Sequence, residues 1–192
     1  MAAFANRFGV DSTRILVTNT FFAPGEEFTA GDLAKLALDA PNASGLTDVI
    51  KNAVASQDGN YGWVYELQVE KNLGNSVTGY HVQSASPVTY AEAVAWDANG
   101  LPVLGGSVTE TAEGDVALSG NKWIEAKTAR YVSGTDGALN DFVNNALRGQ
   151  ALLDSKQITS YTVWMKEYPQ PSLLAWLWSH APSVDFEIGL PH

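Results

Sequence analysis

The stretch Glu113-Gly-Asp115-Val-Ala-Leu118-Ser-Gly-Asn-Lys122-Trp-Ile-Glu125-Ala-Lys127 decides how this chain is read. Two runs of β-forming residues flank Ser119-Gly120-Asn121, whose Gly and Asn tolerate the left-handed backbone of a tight turn. Side chains alternate along a strand, so Glu125 and Lys127 share one face while Ile124 and Ala126 share the other. The apolar pair is the natural core side.

Where Asp115 points depends on the tip. A three-residue tip pairs Leu118 with Lys122, Ala117 with Trp123, Val116 with Ile124 and Asp115 with Glu125. The two acids then lie on one face with Cβ atoms about 4.5–5.5 Å apart. A two-residue Gly-Asn turn opposes Asp115 to Ala126 and puts the acids on opposite faces. The longer tip is favoured because it also stacks Val116 on Ile124. Two adjacent carboxylates repel and raise each other's pKa unless a cation sits between them. Mg²⁺ takes oxygen ligands and keeps waters, so Asp115 and Glu125 suit it, and a nearby Lys can orient water or neutralise developing charge.

Outward from the hairpin, helical spacing predicts a long helix over about 136–153, followed by a β-rich run from Ile158 to Met165. Upstream, a helix from Tyr61 to Leu73 closed by Gly74 precedes a strand over 77–83. Residues 88–96 alternate in part, Asn99-Gly100 signals a hairpin turn, and Pro102 makes the second arm an edge strand. Thr29 and Asp32 open a helix carrying Leu33, Leu36 and Ala37, and a second helix carries Val49, Ile50 and Ala53. A strand is expected over 14–18. Leu173 to Trp178 read as a C-terminal helix docking on the core, with a last strand near 184–188. The order is that of an α/β fold with a mixed sheet and helices on its faces.

The chain has 192 residues, no cysteine and a formal net charge of -10. Disulfides and thiolate metal sites are excluded, and a grip on nucleic acid by bulk positive charge is not expected. The acidity is uneven. Residues 1–114 hold 13 Asp/Glu against 5 Lys/Arg, a balance of -8, whereas residues 115–166 hold 5 against 6, a balance of +1. The first twenty residues lack a basic start followed by an apolar run, so no signal peptide and no membrane association are expected. Localisation is open between the cytoplasm and delivery into a target cell.

An Asp, about ten residues, then Glu-x-Lys at the end of a hairpin resembles the PD-(D/E)xK nuclease superfamily, the restriction-endonuclease-like fold. The resemblance covers about residues 60–165. It implies a mixed central sheet flanked by helices over 59–192, with residues 1–58 as a mainly helical N-terminal extension. It further implies a Mg²⁺-dependent endonuclease, with Mn²⁺ as substitute, acting on DNA. Asp115 and Glu125 would ligate metal, and Lys127 would position the attacking water. Relatives often add a Glu from the helix before the hairpin. Glu66 is the closer match, and Glu70, one turn on, is its substitute. Gly114 departs from the Pro that precedes the Asp in the family pattern. The arrangement most resembles toxin domains of bacterial polymorphic toxin and effector systems, which implies a dedicated immunity protein. Many relatives dimerise, so a homodimer is also implied.

Other residues give weaker signals. Alternation puts Arg130 on the face away from Glu125, and Gln150 and Arg148 are helix residues of the kind that assist the site in some relatives. His81, His180 and His192 have no second His or carboxylate at metal-ligand spacing, which argues against zinc and makes His81 a structural strand residue. Two rival readings remain: a non-catalytic binding or assembly module on the same fold, which the acidity favours, and an RNA-cleaving nuclease.

Overall fold

The computed structural model describes residues 16–17, 28–55, 61–127 and 137–191. In chain order these form β1 (Leu16–Val17), β2 (Phe28–Thr29), α1 (Ala30–Asp39), α2 (Leu46–Ala55), α3 (Tyr61–Leu73) and a 3₁₀ turn (Gly74–Ser76). Then follow β3 (Val77–Gln83), β4 (Val88–Trp96), β5 (Pro102–Glu110), β6 (Glu113–Leu118) and β7 (Lys122–Lys127). The chain continues with α4 (Gly137–Asp154), β8 (Ser160–Met165), α5 (Pro171–His180) and β9 (Asp185–Ile188). Of the strand expected over 14–18, only Leu16–Val17 is among the described residues, and Arg130 lies outside them.

Among the described residues, the main sheet has five strands in the order β3-β6-β7-β8-β9. The strands β3, β6 and β7 pair antiparallel in turn, while β8 and β9 add in parallel. Parallel pairing needs a crossover, and α4 and α5 supply it. Gly74, with φ +58, ends α3 in the left-handed conformation that a glycine adopts without strain.

The β6–β7 tip has three residues, with Leu118 opposite Lys122, Ala117 opposite Trp123 and Val116 opposite Ile124. Gly120 and Asn121 take positive φ values of 78° and 59°. Thr159 fastens the tip to the start of β8: its N–H donates to Asn121 O (2.9 Å) and its hydroxyl to Gly120 O (2.6 Å).

The excursion between β3 and β6 is a separate hairpin of β4 and β5. Asp97 closes its turn by accepting from the N–H groups of Asn99 and Leu101. It is pinned to α4 where Ala93 N–H donates to Asn144 Oδ1 (2.8 Å) and Trp96 Nε1 to Asn140 Oδ1 (2.7 Å).

Both faces of the main sheet are core. One buried cluster joins α1, α2 and α3 to Tyr80, Val116, Ile124 and Ala126. The other joins α4 and α5 to Trp123, Tyr161, Val163 and Met165. The sequence pattern made Ile124 and Ala126 the core side, but Trp123 and Glu125 on the opposite face are also buried, at 5% and 3% exposure. A central strand with helices on both sides has no solvent face. Leu33, Leu36, Val49 and Ile50, from the segment expected as an extension, belong to the first cluster and so share its core. Leu173, Leu174 and Leu177 seat α5 as expected, leaving Trp178 exposed. No described helix is long and apolar enough to cross a membrane.

Candidate functional site

Glu125 and Lys127 leave β7 on the α4 side of the sheet and meet: Lys127 Nζ lies 2.5 Å from Glu125 Oε1. The same oxygen accepts from Asn145 Nδ2 (2.5 Å), and Tyr161 OH donates to Oε2 (3.2 Å). An ionised carboxylate offers about four lone-pair positions. Three are used here, two on Oε1 and one on Oε2, so one remains for a ligand.

Asn145 in turn accepts from Arg148 Nη1 (3.0 Å). Arg148 Nη2 pairs with Glu110 Oε1 (2.7 Å), and Tyr90 OH donates to the same carboxylate (2.8 Å). The rotamer of Glu125 is thus held from α4 and β8, and α4 is tied through Arg148 to the β4–β5 hairpin. Gln150, by contrast, is spent elsewhere, donating to Asp154 and accepting from Ser183 N–H.

Asp115 reaches this group by a route other than a ladder pair. The β6–β7 ladder ends at Val116–Ile124. One residue beyond, the Asp115 side chain takes the place of a backbone acceptor, and Ala126 N–H donates to its Oδ2 (2.7 Å). That bond fixes the carboxyl. Burial, and then the Glu125 charge, push Asp115 up to about 7, against the pull of Lys127 and the Ala126 N–H. Burial alone would lower the Lys127 ammonium, but Glu125 and Asp115 outweigh it and hold the group above its ordinary range, charged at neutral pH. Gly114 has a steric reason: a Cβ there would stand 2.8 Å from the Trp123 ring, leaving no room for the Pro of the family pattern.

Helix α3 brings the other acids. Glu66 is raised well above a carboxylate's usual range by burial, then by Asp115 and Glu125, with Lys127 pulling the other way. Glu70 is 1% exposed and is raised by burial, then by Glu66 and Asp115. Among the described residues, neither oxygen of Glu70 nor Oε1 of Glu66 has a hydrogen-bond partner. The charges of Asp115 and Glu125 reach Glu66, and that of Asp115 reaches Glu70, while the acids whose ligand atoms lie within 4.8 Å of one another, together with His81, are Glu66 and Glu70.

Buried polar atoms are almost always satisfied, and unpaired buried carboxylates are costly. Hard carboxylate oxygens around a free lone pair are the donor set that Mg²⁺ or Mn²⁺ takes. Among the described residues, however, the ligand atoms of Asp115, Glu125 and Glu66 do not all lie within 4.8 Å of one another, so one cation held by Asp115, Glu125 and Glu66 would need these side chains to draw closer.

Sequence reasoning missed three residues here. Asn145 and Tyr161 hold Glu125, and each sits at an inward position of its own element, where a polar group on an apolar face was the only signal. His81 was read as structural, yet its Nε2 lies 3.5 Å from Glu66 Oε1. No family model matches the chain, no curated protein matches its sequence, and no solved structure matches its fold.

Proposed function

We propose that this chain is a metal-dependent phosphodiesterase, an endonuclease of the restriction-endonuclease-like kind acting on DNA. The observation that carries the reading is the Glu125–Lys127 ion pair on one strand, with the Asp115 carboxylate held on the N–H of Ala126, the residue between them. The order α3, β3, β6, β7, α4, β8 supports it, since it follows the element order that the family resemblance implies.

In this reading Asp115, Glu125 and Glu66 would hold the divalent cation, which would supply Lewis-acid chemistry for activating water and offsetting charge on the phosphate. Asn145 and Tyr161 keep Glu125 in its ligating rotamer. Lys127 stays charged and positions the water, or the phosphate oxygen that gains charge. The chain-wide acidity makes DNA capture depend on cations at the site more than on a basic groove. A role as a bacterial toxin with its own immunity protein, and a homodimeric state, follow from the same resemblance.

The test is incubation of plasmid DNA, and of a structured RNA in parallel, with Mg²⁺ or Mn²⁺. Wild type should nick or linearise the plasmid, while Glu125→Ala and Lys127→Ala should not. Cleavage of RNA alone would move the substrate class. No cleavage by wild type with either cation, or equal cleavage by all three proteins, rejects the enzyme in favour of a binding module.

A further inference from the structure

Glu66 and Glu70 stand one turn apart on the same side of α3. One ligand atom from each and one from His81 lie within 4.8 Å of one another. Glu70 is the decisive member. It is 1% exposed, its carboxylate belongs to this set, and neither oxygen has a hydrogen-bond partner among the described residues.

His81 reaches the set by a local break in β3. Its neighbour Tyr80 packs in the same core as α3, so strict alternation would turn His81 to the opposite face. The backbone at His81 instead takes φ +48, a left-handed conformation uncommon outside glycine. The imidazole then sits with Nε2 toward Glu66 and Nδ1 3.8 Å from Glu113 Oε1, and its side chain is 35% exposed.

Two carboxylates and an imidazole are a different donor set from the all-oxygen group around Asp115. Nitrogen suits Zn²⁺ and other late transition metals, while Mg²⁺ keeps to oxygen. We propose that Glu66, Glu70 and His81 form a second cation site, one that takes a transition-metal dication such as Zn²⁺. Glu66 belongs to this set and also feels the charges of Asp115 and Glu125. This site rests on its own three donors and stands whether or not the chain cleaves nucleic acid.

The test uses the full chain, stripped by chelation and titrated with Zn²⁺ alone. Long-range ¹H–¹⁵N NMR of the wild type should show one imidazole, His81, changing its nitrogen shifts at one equivalent of metal. Calorimetry should show Zn²⁺ affinity falling about 10–100-fold in His81→Ala and in the isosteric Glu70→Gln. His180→Ala, on α5, should bind Zn²⁺ as wild type does. Unchanged His81 resonances at saturating Zn²⁺, or wild-type affinity in His81→Ala, would overturn the proposal. The NMR readout needs no substitution, so a variant that fails to fold does not blunt the test. Zn²⁺ bound through His81 in a protein that cleaves nothing would uphold this site and reject the nuclease. Mg²⁺-dependent cleavage with His81 silent would do the reverse.

Discussion

Lys127 Nζ and Glu125 Oε1 are 2.5 Å apart because the two residues alternate onto the same face of β7, on a central strand of the sheet. A strand places residues i and i+2 side by side without help from tertiary contacts. The fold then adds what the strand cannot: Asn145 and Tyr161 against the carboxylate, Asp115 from the neighbouring strand and two more acids from α3.

Removing the ammonium should separate chemistry from metal binding. Lys127→Met keeps most of the stem's volume and deletes the charge. Cleavage by the variant should fall about 100-fold or more, the range for a positioned proton-handling group. Its Mn²⁺ affinity should stay within a few-fold of wild type. Single-turnover kinetics and calorimetry on the same preparation check both numbers, and a matching loss of metal affinity would assign Lys127 to holding Glu125 rather than to the reaction.

Asn145 tests the support of Glu125. In Asn145→Leu the buried carboxylate loses a donor and Arg148 loses an acceptor. Each unsatisfied buried group costs about 1–3 kcal/mol. Urea unfolding should show a loss of that order, and cation affinity should fall about 10–100-fold, as when second partners of metal ligands are removed.

Gly149 lies where α4 comes close to β8. A Cβ there would stand 2.4 Å from the Tyr161 ring, which is 1% exposed and has nowhere to retreat. Gly149→Ala should destabilise the fold by about 1–3 kcal/mol despite the better helix propensity of Ala. Because Tyr161 also holds Glu125, cation affinity should drop with it. Thermal unfolding with and without Mn²⁺ reads both effects.

The acids also make a pH prediction. Glu66 and Glu70 are raised by burial and mutual repulsion, and Asp115 is pushed up to about 7. Between the unfolded value, about 4, and these raised values, the folded protein binds more protons than the unfolded chain. Stability is then lost as pH rises. The chelated protein should have a lower Tm at pH 7.5 than at pH 5. A saturating divalent cation should reduce or reverse that slope, and Glu70→Gln should flatten it in the absence of metal. A Tm that rises with pH in EDTA would contradict the assignment.

Much of this arrangement was legible in local sequence. The tip Ser119-Gly120-Asn121 could be counted, and its count set the register that brings Asp115 near Glu125. Gly74 marked the end of α3, and the expected strand over 77–83 has the bounds of β3. What stayed hidden depends on contacts distant in sequence or on broken periodicity. The ladder stops before Asp115, so that residue bonds Ala126 N–H instead of pairing across from Glu125. Alternation sends His81 to the wrong face, and only the left-handed backbone there turns it toward Glu66. The two-sided burial of β7 could not be read from Ile124 and Ala126 alone, because it depends on α4, which follows ten or more residues later. The helices of residues 30–55 looked like an appendage, since nothing in their amphipathic pattern names the sheet they cover.

In the proposed nuclease, Asp115, Glu125 and Glu66 share one divalent cation. Anomalous diffraction from a crystal soaked in Mn²⁺ measures this directly. The expected result is a peak within ligand distance of Asp115 and Glu125 oxygens, with Lys127 still paired to Glu125. Full Mn²⁺ occupancy elsewhere with no peak between these acids, or carboxyl groups turned away from one another, would contradict it.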